Sequence, residues 1–281
     1  MRYYHVYTKG LVDAIIFRDR EDYIAGMNLL AVAHFRSKVK ILAFVLMSNH
    51  FHFVVWGDRN AVAQFINLYK KLVSRYILNR YGEHSFLKRV ETSYDVVDLT
   101  NDGLKKLIAY VLNNPVKAGI LSLPVYYPWG SASCYFSAGG SIDGQSVGSI
   151  GVRELRRKLH SNVSLPDGYL LNSDGYISPS SYVDFRLVEQ IYGRPKSFEY
   201  YLTTSSSVKQ MRKDVISFSD SIVMSAIEEL LVNKYGTPLE SLDNDMRKCL
   251  LNDLRRHFNC SSKQLARVTK LPLKSVLEAI G

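Results

Sequence analysis

Hydrophobic positions in the first half of the chain follow two different periods, and each change of period marks an element boundary. The runs YYHVYTKG (3–10), VKILAFVLM (39–47) and FHFVVW (51–56) are aromatic and β-branched and read as strands. Only Ser48, Asn49 and His50 separate the last two, which predicts an antiparallel hairpin. Residues 20–36 instead place Tyr23, Met27, Leu30, Ala31 and His34 at helical spacing, behind an acidic first turn. A second helical stretch, 60–80, turns Phe65, Leu68, Leu72, Tyr76 and Leu78 toward one side. Residues 86–97 hold a weaker strand. A helix over 102–114 stops before Pro115, because proline disfavours helical geometry in the residue preceding it. The order β-α-β-β-α-β-α predicts an α+β fold, an antiparallel sheet with its helices on one face.

Beyond residue 130 the pattern weakens. Residues 137–151 (SAGGSIDGQSVGSIG) read as a linker or long surface loop. VRELRRKL (152–159) reads as a short helix, and the turn-rich PDGYLLNSDGYISPSSYVD as a small hairpin or irregular subdomain. Helical periodicity returns at 220–235 and again over 246–281, after a flexible entry at 205–207. Three regions are expected: 1–130, a linker and small irregular subdomain over 131–204, and a helical domain over 205–281.

Charge follows this division. The 281 residues carry 36 basic and 26 acidic side chains, a net +10. The surplus is +7 in residues 1–130, zero in 131–204 and +3 in 205–281. Such an excess serves solubility or favours a polyanionic partner. An apolar content of 47% excludes wholesale disorder. No apolar run reaches the roughly 18 residues that span a bilayer, and the first residues lack the apolar core of a secretory signal. Cys134, Cys249 and Cys260 are too few and scattered for a disulfide framework or a zinc site. A cytoplasmic location without a membrane partner is expected.

Two short patterns carry chemistry. In His50-Phe51-His52, strand alternation sends both imidazoles to one face and Phe51 to the other. Two imidazoles so placed could grip one divalent ion; a pair of surface histidines is the plain alternative. The runs on either side are strongly apolar, so two adjacent imidazoles call for a compensating partner, which a metal would supply. The second pattern is Tyr110 with Asn114 one helical turn later. A phenol of pKa about 10 is a poor nucleophile unless a base or cation favours the phenolate, and a divalent ion can polarise a phosphate. Asn114 could add a neutral oxygen ligand. On spacing alone, a core tyrosine and a helix-stopping asparagine are the simpler account.

The ordered succession YHVYTKG, IFRDREDY, LAFVLMSNHFHFVV and AYVLNNPVKAGI closely resembles the single-tyrosine HUH transposases. Within them it is most similar to the branch associated with repetitive extragenic palindromes (REP). The resemblance spans roughly residues 1–130 and implies a ferredoxin-like HUH fold. It implies that His50 and His52 bind a divalent metal (Mg²⁺ or Mn²⁺) with Asn114 as third ligand. It further implies that Tyr110 attacks single-stranded DNA, leaving a 5′-phosphotyrosine link and a free 3′-hydroxyl. Basic surface in such proteins holds DNA hairpins, which makes Lys71, Arg75, Lys105, Lys106 and Lys117 the candidates here, in a nucleoid-associated monomer or homodimer. Relatives often carry Gln at Asn114, Pro at Ser48 and Arg at Lys9; none of these differences removes a chemical group.

Near the other end, 246–258 reads as an amphipathic helix, Ser261 as the N-cap of a short helix, and Pro272 as the first residue of a last one. This pattern resembles trihelical, helix-turn-helix-like modules that bind duplex DNA. In such modules Gln264, Arg267, Lys270, Lys274 and Ser275 would lie near the DNA; a helical bundle for dimer contacts is the alternative. Three functions compete: a metal-dependent transposase or nickase acting through Tyr110, a non-catalytic DNA-binding regulator derived from a transposase, and an RNA-binding module. Retention of His50, His52 and Tyr110 favours the first.

Overall fold

The computed structural model describes residues 1–8, 14–83, 86–136, 144–204 and 217–280. Lys9, most of the Gly/Ser-rich loop and the entry at 205–207 lie outside the described residues. The chain forms two compact units: Met1–Lys9, Tyr23–Met47 and Phe51–Arg212 in the first, and Gly10–Asp22, Ser48–His50 and Lys213–Gly281 in the second.

The elements run β1 (Arg2–Thr8), α1 (Arg20–Phe35), β2 (Lys40–Leu46), β3 (Phe51–Gly57), α2 (Arg59–Tyr81), β4 (Thr92–Val96), α3 (Gly103–Leu112) and the single turn α4 (Asn114–Lys117). The four strands form one antiparallel sheet in the order β2-β3-β1-β4, as a ferredoxin-like β-α-β-β-α-β succession requires. α2 starts where Asp58 accepts hydrogen bonds from the Asn60 and Ala61 amides, and ends at Gly82 in the left-handed region (φ 68°).

Helices on one face were expected of this sheet; helices cover both. Phe51 and Phe53 meet Phe65 and Tyr69 of α2 in edge-to-face ring contacts at 5.5–5.7 Å. His52, on the opposite side of the same strand, meets Tyr110 of α3. Helical periodicity reports that a helix has an apolar side, but not which face of the sheet that side covers.

The segment after residue 130 packs into the first unit instead of forming a separate subdomain. Its elements are β5 (Gln145–Ser146), α5 (Val152–Leu159), β6 (Leu170–Leu171), α6 (Phe185–Tyr192) and α7 (Pro195–Thr204). β5 and β6 pair with each other. Residues on either side of this region cover the open edge of β2. Leu46 N–H donates to Trp129 O, Ser131 N–H to Phe44 O and Asp184 N–H to Ile41 O, at 2.8–3.1 Å. An uncovered edge would present unpaired backbone groups to other chains. Buried Asn28 of α1 donates to Lys158 O and Gly175 O and accepts from Ile177 N–H.

The second unit contains α8 (Asp220–Leu230), α9 (Asn244–Phe258), α10 (Ser262–Thr269) and α11 (Leu273–Ile280). Val223, Ile227, Leu250, Leu251, Leu254, Leu265, Val268 and Val276 form its core. Ser261 caps α10 as the sequence predicts, accepting from Gln264 N–H at 3.2 Å. No helix among the described residues is long and apolar enough to cross a membrane.

Candidate active site

β1 and β3 run antiparallel with Tyr7 opposite His52 and His5 opposite Val54. Residues opposite one another share a face, so His5, Tyr7 and His52 stand together on the side away from α2. His5 Nε2 and His52 Nδ1 are 3.0 Å apart in a hydrogen bond. The Tyr7 ring lies 4.6 Å from that of His5, and its hydroxyl donates to Asp95 Oδ2 at 3.2 Å. α3 packs on β2 and β3 and brings the Tyr110 ring edge-on to both imidazoles, 5.9 Å from His52 and 6.0 Å from His5.

The turn after Tyr110 completes the cluster. α3 ends at Asn113 and helical geometry resumes at once as α4, with Pro115 in its first turn. Proline has no N–H for the carbonyl four residues back. The side chain of Asn114 supplies a substitute: Nδ2 donates to Val111 O at 3.2 Å and to Tyr110 O at 3.1 Å. Sequence reasoning set helix-stopping against ligand duty for this residue. The structure shows neither a plain stop nor a ligand: the nitrogen bridges the break at Pro115, and Oδ1 is the atom suited to ligand duty. Because the chain continues as a helical turn, Lys117 comes back over Tyr110, with Nζ 4.1 Å from the ring centroid.

His50 departs from the expected pattern. It precedes β3, so strand alternation governs His52 alone. In the second unit its Nδ1 bonds to Asn49 Oδ1 at 2.7 Å, and the residue is fully buried. An imidazole whose Nδ1–H is held by an oxygen carries its lone pair on Nε2, the usual arrangement in a metal ligand. Among the described residues no group of three or more His, Cys, Asp and Glu side chains is arranged to hold a metal ion. The ligands expected from the sequence, imidazole nitrogen and the Asn114 amide oxygen, would form a donor set without a carboxylate. It suits a divalent ion that takes its remaining ligands from phosphate and water.

Sequence reasoning missed His5 and Tyr7. Their signal was present: two polar-edged rings two residues apart on a strand share a face, as His50 and His52 were expected to do.

Residues 17–114 match the family model described as "Transposase IS200 like". Over this stretch the chain is similar to the IS200-like transposases. The matched stretch contains His50, His52, Tyr110 and Asn114 and ends at the last of them. A solved structure of a REP-associated tyrosine transposase bound to a REP hairpin aligns with a TM-score of 0.36 and 16% identity, over 47% of this chain and 77% of that one. No curated protein matches the chain.

Of the basic residues expected near DNA in the first unit, Lys71, Arg75, Lys106 and Lys117 are exposed. Lys105 is half-buried, paired with Asp102 at 3.2 Å and lying over the ring of Tyr201. Tyr201 in turn donates to Asp102, and that bond pushes its phenol up to about 12 while holding the Asp102 carboxyl below its ordinary range. In the second unit Lys270, Lys274 and Ser275 are exposed, but Gln264 and Arg267 are not the groove-facing pair the sequence predicts. Gln264 is 1% exposed and donates to Phe218 O and Asp220 Oδ1. Arg267 makes a two-pronged ion pair with Asp220, at 2.5 and 2.8 Å. Both side chains tie α10 to the start of α8.

Proposed function

We propose that the chain cleaves and rejoins single-stranded DNA through Tyr110. The phenolic oxygen attacks a phosphodiester, an O–P bond to the 5′-phosphate forms, and the bond to the 3′-oxygen breaks. The phenol proton is lost as the 3′-oxygen gains one; attack by a 3′-hydroxyl on the phosphotyrosine reverses the step. One observation carries this reading: Tyr110 is buried edge-on to His5 and His52, with an ammonium group 4.1 Å from its ring. In that setting the Lys117 charge offsets the negative charge that develops on the phenolic oxygen and the phosphate.

His52 through Nε2 and Asn114 through Oδ1 suit a Mg²⁺ or Mn²⁺ ion, and the family resemblance adds His50. Such an ion would polarise the scissile phosphate. For His52 to ligate in this way its Nδ1–H must donate to His5 Nε2, so His5 fixes both the tautomer and the plane of the ring. Exposed Lys71, Arg75 and Lys106 supply phosphate contacts on the first unit. Lys270, Lys274 and Ser275 are the candidates for duplex contact on the second.

The test is a covalent adduct. Labelled single strands bearing a hairpin, incubated with the protein and Mg²⁺ or Mn²⁺, are expected to yield a denaturant-resistant protein–DNA band that a chelator prevents. Tyr110→Phe should abolish the band and leave binding intact; an unchanged yield would remove Tyr110 from the mechanism. Wild type that binds DNA yet forms no adduct across many sequences would favour a non-catalytic regulator.

A further inference from the structure

Ser48, Asn49 and His50, which join β2 to β3, are all buried. A short connection between antiparallel strands needs no cover, and such loops ordinarily run over the surface in water. Burial obliges every backbone group and polar side chain in the loop to find a partner.

Two other segments of the second unit supply partners. Ser48 O accepts from Ile16 N–H at 2.6 Å and from Phe17 N–H at 3.0 Å. The Ser48 hydroxyl donates to Ser217 O. The two covering segments are themselves joined, since Ser221 N–H donates to Arg18 O at 3.1 Å. Within the loop, Asn49 Oδ1 holds the His50 imidazole at Nδ1.

The covering segment at 217–221 is clamped in turn from α10. Gln264 donates to Phe218 O and Asp220 Oδ1, and Arg267 makes its two-pronged pair with Asp220. Ser217, Ser219 and Asp220 are buried. Hydrogen bonds thus lead from α10, through residues 217–221, to Ser48, two residues before His50. A strand connection left in water would satisfy its polar groups without desolvation, so this cover is not what joining two strands demands. What it does secure is the place of one side chain, the His50 imidazole.

We propose that the helical unit holds the loop that carries His50. Ser48 is a positioning residue for that imidazole, and the Arg267–Asp220 clamp fixes the segment to which Ser48 is bonded. The inference rests on the reading that His50 ligates a divalent ion. It gives a role in that site to residues beyond the matched stretch, and it accounts for Gln264 and Arg267 turning inward. Groups behind a metal ligand orient it, and their loss typically lowers metal affinity about 10–100-fold.

The test is Mn²⁺ binding to the full chain without DNA. It is read from the electron paramagnetic resonance signal of free Mn²⁺ and counted as the binding that His50→Ala removes, with urea unfolding as the check on each variant's fold. Ser48→Ala is expected to weaken this binding about 10-fold, and Ser48→Thr, which keeps the hydroxyl, to recover most of it. Arg267→Lys keeps the charge but loses the two-pronged bond. It should weaken binding at least ~2-fold, and it carries the test if Ser48→Ala does not fold. Unchanged affinity in Ser48→Ala, or in Arg267→Lys where only that variant folds, would overturn the proposal. So would a loss that Ser48→Thr does not recover, which belongs to packing. These outcomes leave the metal reading of His50 standing; a wild type with no His50-dependent Mn²⁺ site would overturn that reading and this proposal with it.

Discussion

The two faces of β3 are built from the same seven-residue strand and obey different rules. On one, Phe51 and Phe53 are fully buried among Phe44, Phe65 and Tyr69 in edge-to-face and tilted ring contacts. Burial alone explains that face, since each aromatic ring removes a large apolar area from water. On the other, His52 is 1% exposed, yet its neighbours are His5, Tyr7 and Tyr110, and a lysine lies over the last. A strand chosen for stability would not put titratable rings there. The contrast separates the side that holds the fold from the side on which we propose the chemistry takes place.

The comparison is broken most forcefully by truncating each face in turn. Phe53→Ala should cost about 3–5 kcal/mol in urea unfolding, the usual range for a buried phenylalanine, while any folded fraction still forms adduct. His52→Ala should cost less, roughly 1–2 kcal/mol for one lost hydrogen bond and its unsatisfied partner, and should lower adduct formation by orders of magnitude. If His52→Ala proved the more destabilising and kept its adduct yield, the polar face would be structural.

How much of this could be read from the sequence depends on the kind of signal. Strands and helices up to α3 are legible because their apolar residues recur with period 2 or 3.6. The helix end near Pro115 is legible only in part: a stop at Asn114 was expected, whereas α3 ends at Leu112 and helical geometry resumes at Asn114 and runs through the proline. What joins distant segments is not periodic. Asn28 holds Lys158, Gly175 and Ile177 through three individual hydrogen bonds, and Tyr135 reaches Leu42 O through one. No pattern along the chain announces such pairs, so residues 131–204 read as a loose subdomain. Gln264 and Arg267 show the same limit. Polar side chains on a short basic helix read as solvent-facing, but Asp220, 44 and 47 residues away, claims both.

Lys117→Met sharpens the polar side of the comparison. A cation over a tyrosine ring at a partly exposed site contributes about 0.5–1 kcal/mol, so stability should change by less than ~1 kcal/mol. If the same charge also offsets the developing phenolate and phosphate charge, the adduct rate should fall about 10-fold, equivalent to ~1.4 kcal/mol. Lys117→Arg should restore most of it. A rate unchanged in Lys117→Met, measured at saturating DNA, would confine Lys117 to packing.

The smallest effect comes from a histidine on neither face. His34, near the end of α1, lies 5.9 Å from the Tyr182 ring, and burial lowers its pKa below 6.5, with a hydrogen bond to the Val39 backbone opposing the shift. Its unfolded form therefore binds a proton more readily than its folded form. Stability should fall as pH drops below 6.5 toward the lowered folded value, with a slope of at most ~1.4 kcal/mol per pH unit for one proton. His34→Gln should flatten that part of the stability profile without moving the pH dependence of adduct formation. Should the substitution leave the stability slope intact and shift the adduct profile, the imidazole that matters to the site would include one on the helix side, and the division between the two faces would fail.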